Sequence, residues 1–216
     1  MDLLKYPEFA LSIGCMVCWT AAFLYQSTIM NPMLSTIYEL EPEKSSLFYT
    51  LAGVAFLITT PVAFLLRSKK LAKRRTIMFL ALFFMGVGMI IRTGDLRGKA
   101  MIYWVYLGQC LNGVTLALLT TTTFPEIVDS VEKTKEYESY DKERVNIYVS
   151  GFFVLLSSIA QALGTFAGSF AAEMIGYNWA FISGGIALIV YAFVYYAITG
   201  TGEDFVEVEK SAFTHT

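Results

Sequence analysis

Six runs of apolar residues, parted by short polar or charged stretches, make up most of the chain. Their lengths and spacing predict helices over 9–31, 45–66, 76–91, 100–124, 145–172 and 178–199. The fifth run carries no charge from Val145 to Ala172. That exceeds the roughly 20 residues a helix needs to cross a bilayer. Within it Gly164 and Gly168 stand four apart on one helical face, with Ser157, Ser158 and Gln161 one to two turns earlier. Glycines at this spacing clear a stripe of side chains, so a second helix can pack backbone to backbone. A polar break at Glu173–Trp179 precedes the sixth run, which reads as a helical hairpin inside a membrane. The third run is the shortest, at the lower length limit for crossing. Pro32 follows the first run, Pro61 interrupts the second and Pro125 closes the fourth. A proline in a span frees a backbone carbonyl, which is tolerated where it faces protein or a wet cavity.

Composition strengthens that picture. Of 216 residues, 56% are hydrophobic and only 16% charged, against about 25% charged in a typical soluble domain. All eighteen acids lie outside the apolar runs. The expected fold is therefore all-α: an integral, multi-pass membrane bundle of six transmembrane helices over residues 1–199, followed by a polar tail at 200–216. Residues 67–75 hold six bases, the densest cluster in the chain. With both termini cytoplasmic, twelve of the sixteen lysines and arginines fall on the inside and four outside, which fits the positive-inside rule. The stretch 129–144 mixes both signs and reads as a solvated loop or surface helix, and Arg92 to Lys99 reads as a polar turn. The N-terminus lacks the basic region, short apolar core and small-residue cleavage site of a signal peptide. Which membrane holds the bundle is not legible.

Candidate chemistry is sparse. The only histidine is His215, and Cys15, Cys18 and Cys110 all sit in apolar runs. No metal site, cofactor or catalytic constellation is expected, so the chain does not read as an enzyme. No basic arm of the nucleic-acid kind is present. The spans do carry uncharged polar residues at a few positions: Tyr25, Gln26 and Asn31 in the first, Gln109 and Asn112 in the fourth, and Ser158 and Gln161 in the fifth. Such side chains are costly in lipid and should face the bundle interior. They serve either as hydrogen bonds between helices or as the lining of a mid-membrane cavity for a small solute.

Several ordered segments resemble one family. Leu3-Leu4-Lys5-Tyr6-Pro7 looks like the end of a central cytoplasmic loop. Asn31-Pro32-Met33-Leu34 looks like a proline-containing end of a seventh span. Phe124-Pro125-Glu126-Ile127-Val128-Asp129 resembles the exit of a tenth span. Gly164 to Gly168, then Ile175 to Ala180, resembles an eleventh span and the turn into a twelfth. In that order they resemble the carboxy-terminal six-helix half of a major facilitator superfamily transporter, closest in look to the vesicular-amine and drug:proton antiporter branch. Lys73, Arg74 and Arg75 match the basic end of that family's gating loop, whose glycine and acid have no counterpart here. Ser158 is neutral near a position where vesicular-amine members carry an acid. The resemblance implies alternating-access transport of a small organic solute, with Tyr25, Gln26, Asn31, Gln109, Asn112, Ser158 and Gln161 as candidate cavity residues. It also implies partners: the lipid bilayer, the solute, and a second six-span half, whether upstream in the same chain, a second copy or a separate subunit. A transport-inactive accessory or scaffold subunit of a larger membrane complex is the alternative.

Overall fold

The computed structural model describes residues 7–68, 73–93, 102–132 and 142–199. All its regular structure is helical: α1 (Pro7–Thr36), α2 (Pro42–Ser68), α3 (Arg74–Ile91), α4 (Ile102–Glu132), α5 (Lys142–Ile175) and α6 (Tyr177–Thr199). Each of the six contains a stretch long and apolar enough to cross a membrane. The tail at 200–216, residues 69–72 of the basic loop and residues 94–101 lie outside the described residues.

Local chemistry sets several helix ends. Prolines open α1 and α2, where a missing N–H costs nothing, and Glu43 adds a carboxylate to the positive end of α2. Glu39 adopts a left-handed backbone, φ 52°, as the chain turns from α1 to α2. The Leu40 N–H then donates to the Leu34 carbonyl at 3.1 Å. Gly176, at φ 81°, makes the one-residue break between α5 and α6, a conformation that favours glycine over any residue with a Cβ. Its N–H still donates to Ala172 and its carbonyl accepts from Ala180.

Two helices run on where the sequence suggested an end. α1 continues past Pro32 because Met33 and Leu34, fully buried, hold the next turn in the core. α4 continues past Pro125 because Ile127 and Val131 pack with Phe9, Ile13 and Met16 of α1. Packing of an apolar face outweighs the single hydrogen bond a proline removes. Residues 129–132, expected in a solvated loop or surface helix, are therefore the last turn of α4.

The closest pairings are α1 with α5, α2 with α4, and α3 with both α4 and α6; α1 also touches α4 and α6. Thus α1 and α4 form the middle, α3 and α6 back them, and α2 and α5 flank them. The main core joins Met30, Met33 and Leu34 of α1, Met78, Leu82 and Met85 of α3, and Phe181 and Tyr195 of α6. α2 and α5 bury little: 6% and 17% of their apolar stretches, against 44% for α1 and α4. Glycines allow the tight pairings. A Cβ on Gly164 would lie 2.0 Å from the Ala21 carbonyl and one on Gly168 2.6 Å from that of Tyr25, so the α5 stripe rests on α1 and not on its hairpin neighbour α6.

Candidate functional site

Three polar features stand out from this apolar bundle. The first lies where α3 ends. Gly88 of α3 and Gly108 of α4 bring their backbones together; a Cβ on Gly108 would lie 2.6 Å from both the Gly88 carbonyl and the Arg92 side chain. Arg92, one turn after Gly88 and the C-cap of α3, turns inward through that slot and is 1% exposed. Its Nη2 donates to the Gly108 carbonyl at 2.9 Å and its Nη1 to Gln26 Oε1 at 2.6 Å. Gln26 Nε2 in turn donates to Asn112 Oδ1 at 2.7 Å. The Phe181 ring lies 5.9 Å from the guanidinium carbon, within cation–π range. Arg92 Nε has no hydrogen-bond partner among the described residues.

This feature joins Gln26 and Asn112, two of the candidate cavity residues, and adds Arg92, which the sequence placed in a solvent turn. Gln109, one turn before Asn112, is also buried, with its Oε1 unpartnered. Tyr25 instead donates to the Ala180 carbonyl of α6 at 2.8 Å, and Asn31, exposed, accepts from the Tyr49 hydroxyl of α2 at 2.8 Å. These two residues are therefore engaged in contacts between helices. The signal that could have found Arg92 is the glycine pair beside it, readable only once α3 and α4 are known to touch there.

The second feature is the outer surface of α5. Ser158, Gln161, Thr165 and Ser169 are exposed along one stripe of the helix; Ile159, Leu163, Phe166 and Phe170 are exposed along the adjoining one. The hydroxyls of Ser158 and Thr165 turn back onto the Val154 and Gln161 carbonyls at 2.9 and 3.0 Å. Ser158 and Gln161 are thus separate from the Gln26–Asn112 cluster, on the open side of a flanking helix.

The third feature lies at the opposite end of α3, about 27 Å away at 1.5 Å per residue. Arg75 Nε donates to Glu126 Oε1 at 3.1 Å, and Arg75 Nη1 donates to the Thr199 carbonyl at 3.0 Å, at the negative end of α6. Arg74 pairs with Asp129 and reaches Glu126 Oε2 at 3.5 Å. The Ser130 hydroxyl donates to the Glu126 carbonyl at 2.7 Å and lies 3.5 Å from that of Ser12 on α1. Lys73, exposed, precedes α3 and its carbonyl accepts from Ile77. Of the three gating-loop candidates, Arg74 and Arg75 therefore tie α3 to α4 and α6. Among the described residues no group of three potential metal ligands occurs, and the three cysteines are free.

The family model described as Major Facilitator Superfamily matches residues 11–213. No curated protein matches the chain.

Proposed function

Because the chain belongs to the major facilitator superfamily, whose members are membrane transporters, we propose that it moves a small organic solute by alternating access. In this reading the face made by α1, α2, α4 and α5 rocks against a second six-span half, with the solute between them. Gln26 of α1 and Gln109 and Asn112 of α4 are buried within the helices of that face, and Ser158 and Gln161 are exposed on it. The base asymmetry supports an orientation with both termini, and with them the Arg74–Arg75–Glu126–Asp129 cluster, on the cytoplasmic side.

The observation that carries this reading is the division of α5. Lipid can solvate Ile159, Leu163, Phe166 and Phe170 but offers no hydrogen-bond partner to the Gln161 amide, whereas the Ser158 and Thr165 hydroxyls already donate to carbonyls of their own helix. A span with one lipid-like stripe and one uncharged polar stripe, both open, suits a helix between bilayer and wet cleft. The drug and amine branch of the family rests on the sequence resemblance alone, and the described acids all lie within two turns of a helix end or in turns. No feature of the described residues favours an inert accessory subunit over a transporter.

Thiol labelling tests the reading. With Cys15, Cys18 and Cys110 replaced, Ser158→Cys, Gln161→Cys and Thr165→Cys should react with a membrane-impermeant thiosulfonate, while Ile159→Cys, Leu163→Cys and Phe166→Cys should stay protected. Equal protection of both stripes in the native membrane would remove the cleft and the reading with it.

A further inference from the structure

The Arg92 cluster has a direction, and the direction follows from donor chemistry alone. An arginine side chain has five N–H donors and no acceptor. The Gln26 atom 2.6 Å from Arg92 Nη1 must therefore be the carbonyl oxygen. That fixes the Gln26 amide, whose Nε2 then faces Asn112 and requires an acceptor, Oδ1, at 2.7 Å. Asn112 is fixed in its turn: its oxygen is taken, and its Nδ2 amino group makes no hydrogen bond to any described residue. Each link passes the donor character one residue farther from the arginine. The end of the relay is the Asn112 amino group, a pair of N–H donors that no described residue takes up, on a residue 3% exposed.

Charge points the same way. Among the described residues no carboxylate is ion-paired with Arg92; the ion pairs there join Arg74 and Arg75 to Glu126 and Asp129, and Lys44 to Glu41. A buried guanidinium without a counter-charge is strongly disfavoured unless something negative shares its field. Among the described residues its hydrogen bonds go to two neutral oxygens, and its cation–π contact is the face of Phe181. A solute with an ammonium group would meet donors with donors, and a positive charge with a positive charge. A carboxylate would meet two N–H groups backed by a cation. Gln109 adds no preference, since its amide has no fixed donor to hold it in one orientation.

We infer that the solute handled by this half is a small organic acid, whose carboxylate is received by Asn112 and whose charge is balanced by Arg92 acting through Gln26. This rests on the transport reading above and runs against the amine class that the sequence resemblance suggests. Arg92 and Gln26 are positioning residues in this scheme; Asn112 is the one that touches solute.

Two isosteric variants test the relay itself. Asn112→Asp replaces the outward donor with an acceptor. Gln26→Glu gives Arg92 a carboxylate and obliges Asn112 to turn and donate inward, so its oxygen faces outward. The probes are butyrate and butylammonium, matched in skeleton and opposite in charge, bound at equilibrium to the full chain in lipid nanodiscs. Butyrate should bind at least about tenfold tighter than butylammonium, the effect of one charge-assisted hydrogen bond made or refused. Each variant should lower that ratio by about tenfold while the chain keeps its melting temperature within a few degrees. A wild-type preference for butylammonium, or a ratio unchanged in both variants, overturns the inference. If neither probe binds although the polar stripe of α5 labels, the acid-binding inference falls and the transport reading stands. If that stripe is protected as well, both fall.

Discussion

Arg92 shows how one residue can be costly alone and stabilising in place. Taking a guanidinium out of water costs several kcal/mol, and among the described residues no acid pairs with it. Two charge-assisted hydrogen bonds, each worth about 1.5–3 kcal/mol, and an aromatic face offset that cost instead. Removing the side chain leaves Gln26 Oε1 buried without its donor and the Gly108 carbonyl with only the hydrogen bond of its own helix. Arg92→Met should therefore lower stability by about 2 kcal/mol or more, although methionine suits the site by size. Arg92→Lys should fall between, because an ammonium keeps the charge but cannot span both acceptors with a planar fork. Thermal melting of the detergent-solubilised chain checks the order wild type, lysine, methionine; a methionine variant as stable as wild type would show Gln26 Oε1 to be satisfied by water.

At the level of the helix, α5 shows which information a sequence carries. Its span, its glycine stripe and its polar positions all follow from spacing along the chain, because each is a property of one helix. Its partner does not. Gly164 and Gly168 announce that some backbone comes close, but Ala21 and Tyr25 of α1 supply it, and that choice belongs to the arrangement of all six helices. Arg92 was opaque for the same reason, since the slot that admits it exists only where Gly88 and Gly108 meet. Asn31 and Tyr25 stood out by polarity alone; which groups they would meet, Tyr49 and the Ala180 carbonyl, depends on other helices. The α1–α5 contact makes a sharp prediction. Gly164→Leu must drive side-chain atoms into the Ala21 backbone, where even a Cβ would stand at 2.0 Å. Overpacking of this kind costs about 1–3 kcal/mol or more, so α5 should separate from α1. Gly151→Leu serves as the control, since nothing lies within 4 Å of its Cβ position. Disulfide trapping between cysteines placed on α1 and α5 should fail in the first variant and persist in the second.

For the whole bundle, the notable feature is that α3 is fastened at both ends by arginines, to different neighbours. Arg92 holds one end to α1 and α4; Arg74 and Arg75 hold the other to α4 and to the last carbonyl of α6. Between these ends, Gly86 and Gly88 let its backbone approach α6 and α4 closely. A helix tied in this way moves with its neighbours, so α1, α3, α4 and α6 form one frame and the little-buried flanks α2 and α5 face outward from it. Glu126 is the keystone of the charged end: its side chain is 9% exposed and takes both arginines. Glu126→Gln keeps the shape but leaves Arg75, itself 9% exposed at the side chain, without that carboxylate. Breaking a buried pair from one side costs about 3–5 kcal/mol, because the remaining charge stays buried. Arg75→Gln should cost a similar amount through the same pair and also release the Thr199 carbonyl. The double variant should then cost clearly less than the two singles together, by about 1–3 kcal/mol of coupling. Additive losses would show that Arg75 and Glu126 act separately, in which case this ion pair does not bind the four helices into one body.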